Sequence, residues 1–432
     1  MPSSLSAAFR RLAWSNLVAQ AAEQVALSAA PLVAVLVIGA GVGETGLLTA
    51  AQTLPFLLLS FPAGVVADRV SRRGLMVAAE ALRAVALVAL SALSAFGLLS
   101  VPVLAILGFV GATGTVAFSV AAPALVPALL PRRSLAGANS LLETARSAAF
   151  AAGPALGGFL VGWTGPSLAF ALAAVLSIAA AGLLARIREP ARAPGPRRNL
   201  IREVRDGAGF VWRDLYLRPI LLTAVGWNLA WTVLQAAYVP YAATVLGLTA
   251  SGIGTSLASF GVGMLVGATI APGLIRRLAL GSTIVIGPLV SVVAAAVMVA
   301  TVWCPSALLA SVAFFLFGAG PLVWTVSTVT LRQTITPASL LGRASAAYMT
   351  ANTGIRPLGA LCASLIGAAY GPTTCVIVAA AGFLVQLLTI LLSPVPQLAR
   401  LPIAADPDGT QQSARRVSDQ RSPGLVAAPA GD

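Results

Sequence analysis

Apolar residues in this chain run on without interruption, instead of recurring at the two- or four-residue spacing of a half-buried strand or helix. A hydrocarbon layer about 30 Å thick needs roughly 20 such residues in helical form. Twelve stretches qualify, near 12–38, 45–67, 75–97, 101–129, 138–162, 166–187, 219–246, 250–274, 281–303, 306–331, 342–369 and 372–393. The links between them are of two kinds. Arg10 and Arg11 precede the first stretch, and every second link is basic: Arg69, Arg72 and Arg73, then Arg132 and Arg133, a cluster from Arg186 to Arg218, Arg276 and Arg277, and Arg332 with Arg343. The alternate links, around 39–44, 98–100, 163–165, 247–249, 304–305 and 370–371, contain no arginine or lysine. The positive-inside rule therefore predicts cytoplasmic N- and C-termini, which an even number of spans requires.

The pattern predicts an all-α membrane protein of twelve transmembrane helices in two six-helix bundles, 1–187 and 219–396. Between them, 188–218 is expected to be a cytoplasmic linker with an amphipathic helix. Leu200, Ile201, Val204, Ala208 and Val211 recur there at helical spacing, opposite Arg202, Glu203, Arg205 and Asp206. The polar segment 397–432 is expected to be a disordered cytoplasmic tail.

Composition fits a lipid solvent. Hydrophobic residues make up 58% of the chain, only 9% is charged, and mean hydropathy is +0.92. Soluble domains are about a quarter charged. The net charge of +14 sits in membrane-flanking links, with no aromatic-interleaved basic domain, so no nucleic-acid partner is expected. Histidine is absent, and Cys304, Cys362 and Cys375 lack metal-ligand spacing. We therefore expect no metal, no cofactor, no nucleotide-binding loop and no enzymatic activity. The predicted setting is the lipid bilayer of a bacterial cytoplasmic (inner) membrane, with the chain a multi-pass monomer acting on a small-molecule substrate.

The two halves repeat one another. Ser134-Leu-Ala-Gly137 resembles Ser339-Leu-Leu-Gly342, Gly165-Pro166 recurs as Gly371-Pro372, and Asn16-Leu17 echoes Asn228-Leu229. Parallel repeats of this kind build many secondary transporters.

Specific motifs then point to a family. Gly64-Val-Val-Ala-Asp68-Arg69-Val-Ser71-Arg72-Arg73 resembles the G-x-x-x-D-R-x-G-R-R loop of the major facilitator superfamily, with Ser71 where the pattern usually has glycine. The resemblance spans about residues 10–395 and implies that Gly64, Asp68, Arg69, Arg72 and Arg73 form a conformational latch between the halves. Gly153-Pro154-Ala-Leu-Gly157-Gly158 resembles the antiporter-type motif of exporters in that superfamily, and Trp14-Ser-Asn-Leu17, Asp68-Arg-Val-Ser-Arg-Arg73 and Leu135-x-x-Ala-Asn-Ser140 in combination are most similar to the branch of enterobactin and macrolide efflux permeases. The family's R-x-x-x-Q-G arginine is missing from the fourth stretch.

Ionisable groups at mid-membrane are costly and mark function. Glu23 lies about 11 residues into the first stretch, near the midplane by helical rise, and is the expected proton-coupling residue, driven by the proton gradient. Asn16 and Gln20 share its face. In the seventh stretch Asn228, Trp231, Gln235 and Tyr238 form the matching stripe, with Gln235 taken as the repeat of Glu23. Arg146 and Arg356 sit at comparable depths in the two halves, and Trp324 and Thr328 join them as expected cavity residues. Arg146 could instead pair with Glu143, and Glu80 with Arg83, at i, i+3 spacing. The function these features predict is proton-coupled export of a small amphipathic compound (drug, antibiotic or siderophore-like) by alternating access. The alternatives are a proton-coupled importer and a non-transporting receptor or scaffold.

Overall fold

The structure is a computed structural model that describes residues 7–131, 134–189, 200–337 and 340–399. Thirteen α-helices follow one another: α1 (Ala7–Leu36), α2 (Val42–Arg69), α3 (Arg72–Ala95), α4 (Val101–Leu129), α5 (Leu135–Trp163), α6 (Pro166–Ala185), α7 (Leu200–Arg213), α8 (Leu217–Thr244), α9 (Ala250–Arg277), α10 (Leu280–Ala300), α11 (Ala307–Ile335), α12 (Leu341–Gly354) and α13 (Arg356–Leu391). Ten segments among the described residues are long and apolar enough to cross a membrane. One of these runs from Leu341 to Leu391 and breaks at Gly371, whose φ of 81° and ψ of 177° are open essentially to glycine alone. Most of the segment expected to be a disordered tail, 400–432, lies outside the described residues.

Local chemistry explains where helices start and stop. Ser71, Thr249 and Ser306 cap α3, α9 and α11 by accepting from backbone N–H groups three residues on. Pro166 and Pro372 stand just after glycines with nearly the same backbone, Gly165 at φ 88°, ψ 169° and Gly371 at φ 81°, ψ 177°. The turn after α1 (Val37 and Ile38 N–H to Val33 O, Ala40 N–H to Ala34 O) recurs after α8 (Val245 and Leu246 to Tyr241, Leu248 to Ala242). The duplication legible in the sequence is thus repeated in backbone hydrogen bonds.

Within the first half α1 packs on α5 and α6, and α3 on α4 and α6; within the second, α8 packs on α13 and α11 on α9 and α10. The halves meet along α5 against α9 and α2 against α13. These contacts lie toward the arginine-free links. A Cβ on Gly46 would fall 2.6 Å from the Ser364 backbone, and the Ser364 hydroxyl donates to Gly43 O at 2.7 Å. A Cβ on Gly158 would fall 2.5 Å from Ala250 O and 2.8 Å from Gly254 Cα. Close backbone approach through small residues holds this seal, as it does generally between helices in lipid. Trp163, Trp303 and Tyr370 stand exposed at helix ends on the same side, as interfacial aromatics do.

The linker helix is not isolated on a surface. α7 packs on α12, where Gly207 lies against the Arg343 backbone and Asp206 is 3.8 Å from the Arg343 guanidinium, and Val211 is buried with Leu217 and Ala344. Ala208, expected on the apolar face, is exposed, because the docked face is set by Gly207 and Val211. The side chains of Leu200, Ile201 and Val204 lie outside the described residues.

Candidate functional site

A central cavity of about 600 Å³ lies between the halves and takes side chains from both. From the first come Glu23, Arg83, Thr115 and Arg146; from the second Trp227, Asn228, Trp231, Gln235, Trp324, Thr328, Arg332, Asn352, Arg356 and Gln386. Most of these positions follow from helix register. Glu23 and Leu27 are one turn apart on α1, Trp227 and Trp231 on α8, and Asn352 and Arg356 across the α12–α13 joint.

The electrostatic centre of the first half is Arg83. Its Nη1 donates to Glu80 at 2.8 and 3.2 Å and to Ala19 O at 3.4 Å, and Nη2 donates to Thr115 Oγ1 at 2.8 Å. Glu23 lies 3.7 Å from that same Nη2, an ion pair too long for a hydrogen bond, with its side chain 17% exposed toward the cavity. No hydrogen bond reaches the Glu23 carboxylate among the described residues. Two carboxylates therefore share one guanidinium, and Glu80, wholly buried, holds it more closely. Glu23 and Glu80 with Arg83 leave one negative charge in surplus.

The second half has the opposite imbalance. Arg356 donates from Nε to Asn228 Oδ1 at 2.8 Å, and Asn228 Nδ2 donates to Asn352 Oδ1 at 2.7 Å. Arg332 lies over the Tyr348 ring at 4.3 Å. Neither arginine meets a carboxylate among the described residues. Arg146 differs, since both Nε (2.9 Å) and Nη2 (2.8 Å) reach Glu143, and the pairing at i, i+3 read from the sequence is present. Arg146 and Arg356 line the same cavity as Glu23, while Arg83 is the cation in ion-pair contact with it.

Aromatic rings close the second half's wall. Trp227 stacks on Trp231 at 5.3 Å, Trp231 stacks on Phe260 at 4.9 Å, and Phe314 and Phe317 meet Trp231 edge-on at 6.0 and 5.4 Å. Trp227 is anchored by donating its indole N–H to Ser291 at 3.1 Å.

The cavity brings together Glu23, Arg146, Asn228, Trp231, Gln235, Trp324, Thr328 and Arg356, but not every expected residue. Asn16 is buried against α5, with Nδ2 3.5 Å from Leu142 O, and Gln20 lies one turn from Glu23 outside the lining. Tyr238 is fully buried and bonds to Ser256, so its hydroxyl is spent inside the second half. Counted back from the turn shared by α1 and α8, an offset of 208 residues, Glu23 corresponds to Trp231 and not to Gln235 one turn later. The sequence reads Arg83 as the i, i+3 partner of Glu80, and that pair is present, but the spacing does not show that Glu23 faces the same guanidinium. The packing of α3 on α4 and α6, with the Arg83 side chain reaching Ala19 O of α1, brings it to Glu23.

The two motifs serve the helices rather than the cavity floor. Gly153 and Gly157 lie against Gln24 and Ser28 of α1, while Gly158 lies against α9 on the other side, so the glycines around Pro154 bring one helix close to two neighbours. In the loop motif a Cβ on Gly64 would meet nothing within 4 Å. Among the described residues, the close contacts between the halves lie at the opposite end. Asp68's side chain lies outside the described residues, and Arg69 is exposed. Ser71 replaces glycine at no conformational cost, at φ −58°, and gains a role as the α3 cap. Its hydroxyl donates to Glu189 at 2.6 Å, and the Arg72 and Arg73 N–H groups donate to the same carboxylate at 3.2 and 3.0 Å. Burial alone would push Glu189 up, but Ser71, the two backbone N–H groups and the Arg72 charge outweigh it and hold the carboxyl below its usual range.

Known proteins resemble this chain in fold over nearly its whole length. The nucleoside transporter NupG superposes with a TM-score of 0.73 at 10% identity, covering 89% of this chain and 99% of that one. A bacterial homologue of the iron transporter ferroportin superposes at 18% identity, over 90% and 99% of the two chains, with a TM-score of 0.72 in its inward-facing state and 0.60 in its outward-facing state. An uncharacterized MFS-type transporter, y4rN of Sinorhizobium fredii (strain NBRC 101917 / NGR234), is 31% identical over 133 residues, which is 29% of this chain and only a third of that protein's length. The model of the major facilitator family described as transmembrane secretion effectors matches residues 5–427, and with helices, internal repeat and central cavity all in accord, this membrane transporter belongs to that family.

Proposed function

We propose that the protein exports a small amphipathic compound from the cytoplasm in exchange for protons, by alternating access around the central cavity, with Glu23 as the coupling group. The observation that carries this reading is the Glu23 carboxylate, which faces the cavity without a hydrogen bond while its one near cation is committed to Glu80. In a low-dielectric interior a surplus charge is expensive. A proton neutralises it, and so does a positively charged group on a substrate, but the carboxylate cannot take both at full strength. Mutual exclusion of this kind makes proton entry and substrate exit alternate.

Several features support the finer points. The 29-residue α5 packs on both α1 and α9, and Leu341–Leu391 turns sharply at Gly371, so counting α5 as one crossing and that segment as two gives twelve spans in two bundles joined through α7. Basic links on one side support a reading with both termini on the cytoplasmic side of a bacterial inner membrane. The structure then has its seal on the outer side and is inward-facing, which agrees with the better superposition on the inward-facing ferroportin homologue. Gly153, Pro154, Gly157 and Gly158 form part of the outer seal, and Gly64 to Arg73 form the inner latch that would engage when the cavity turns outward. The family's description as secretion effectors favours export.

The test is a compound panel in cells with and without the protein, followed by proteoliposomes loaded with any affected compound. An inward proton gradient is expected to drive efflux of that compound. Uptake under the same gradient would reverse the direction and make the protein an importer.

A further inference from the structure

The cavity has two poles of opposite sign, one on each half, and each keeps hydrogen-bonding capacity unused among the described residues. On the first half Glu23 has acceptor capacity with no donor within hydrogen-bond reach. On the second, Arg356 spends only Nε, on Asn228, and its two terminal nitrogens carry no hydrogen bond among the described residues. The Asn228–Asn352 bond fixes the guanidinium by its near edge and leaves the far edge to a ligand. Both groups line the same cavity. Beside Arg356 on the same half stands the stacked wall of Trp227, Trp231 and Phe260.

From this juxtaposition we infer that the transported molecule is a small zwitterion with a flat or apolar body, its cationic group on Glu23, its acid on Arg356 and its body against the Trp227–Trp231 wall. A guanidinium with its outer edge free matches a carboxylate, and a carboxylate without donors matches an ammonium. A purely anionic ligand would leave Glu23 unmet and be repelled by it; a purely cationic one would leave Arg356 unmet. Divalent cations fit poorly too, since the one lining carboxylate shares the cavity with four guanidiniums, those of Arg83, Arg146, Arg332 and Arg356. The assignment rests on the transport reading only for its meaning. The cationic pole competes with the coupling proton and the acid pole does not.

Binding to the purified full chain tests it without any flux. Tryptophan fluorescence and calorimetry would be read for two zwitterions, phenylalanine and para-aminomethylbenzoate, whose charges lie at short and long separation. Each is compared with its singly charged relatives: hydrocinnamate and para-toluate as anions, phenethylamine and para-methylbenzylamine as cations. At least one zwitterion is expected to bind about 10- to 100-fold more tightly than both of its relatives, the range of one charge-assisted hydrogen bond. Glu23→Gln should erase its advantage over the anion, and Arg356→Gln its advantage over the cation. Equal binding of a singly charged relative, or no binding by either zwitterion, overturns the inference. The probe comparison on the unmodified protein stands even if a variant does not fold. Preferential binding with no flux in proteoliposomes would sink the transport reading alone, whereas flux of other compounds without the zwitterion preference would sink only this one.

Discussion

Gly158 sets how closely α5 and α9 can seal the cavity. Adding one methyl group at that position perturbs the seal with little other chemistry. The Cβ of Gly158→Ala would sit 2.5 Å from Ala250 O and 2.8 Å from Gly254 Cα. Ordinary contacts need about 3.5 Å or more, so the helices must part by about 1 Å or bend. Neither neighbour is a flexible side chain that could move aside. Overpacking of this sort costs about 1–3 kcal/mol, and here the cost falls mainly on the sealed arrangement. Such a difference shifts a two-state equilibrium about 5- to 150-fold. The assay is thiol labelling from the outer side. Leu27, which lines the cavity, becomes the single reporter as Leu27→Cys after Cys304 and Cys362 are changed to serine. A membrane-impermeant maleimide should label this reporter several-fold faster in the Gly158→Ala background. Unchanged labelling with normal expression would refute the idea that close α5–α9 approach holds this state.

Further outcomes follow from the same geometry. Ser71→Ala removes both the α3 cap and the hydroxyl bond to Glu189, and should lower stability by about 1 kcal/mol in thermal melts of the purified protein, while Ser71→Gly should cost only a few tenths. Because Glu189 is held below its usual range in the folded chain, its contribution is present above the ordinary carboxylate range and is lost as pH falls through the depressed value. Glu189→Gln should therefore narrow the loss of melting temperature between neutral and acid pH; an identical pH profile would count against the cap. Gly371→Ala forces a side chain into backbone space reserved for glycine and should cost about 1–3 kcal/mol, seen as reduced yield and melting temperature, and Gly165→Ala should behave alike because its backbone is nearly the same.

Hydropathy and charge made the spans legible, and the Gly-Pro pairs and polar caps marked their ends, because these signals are local. Helix rotation was harder to read. Lipid tails are as apolar as a packed interior, so nothing in α8 alone tells Tyr238, which turns into its own bundle, from Gln235, which opens on the cavity. Repeat matching by an Asn-Leu pair also slipped the register by one turn, which put Gln235 where Trp231 stands. Arg83 was legible as the i, i+3 partner of Glu80, but its second carboxylate, Glu23, comes from another helix. Gly64 fits its motif, yet space for a Cβ is open there, so no close helix approach accounts for the glycine in this arrangement.

Glu23 is proposed to exchange a proton for substrate. The most direct test is transport by Glu23→Gln in proteoliposomes, using the compound whose accumulation in cells depends most on the protein. Glu23→Gln is expected still to exchange labelled for unlabelled compound at equal concentrations but no longer to drive efflux with an inward proton gradient. If the variant drives efflux as well as the unmodified protein, Glu23 is not the coupling group.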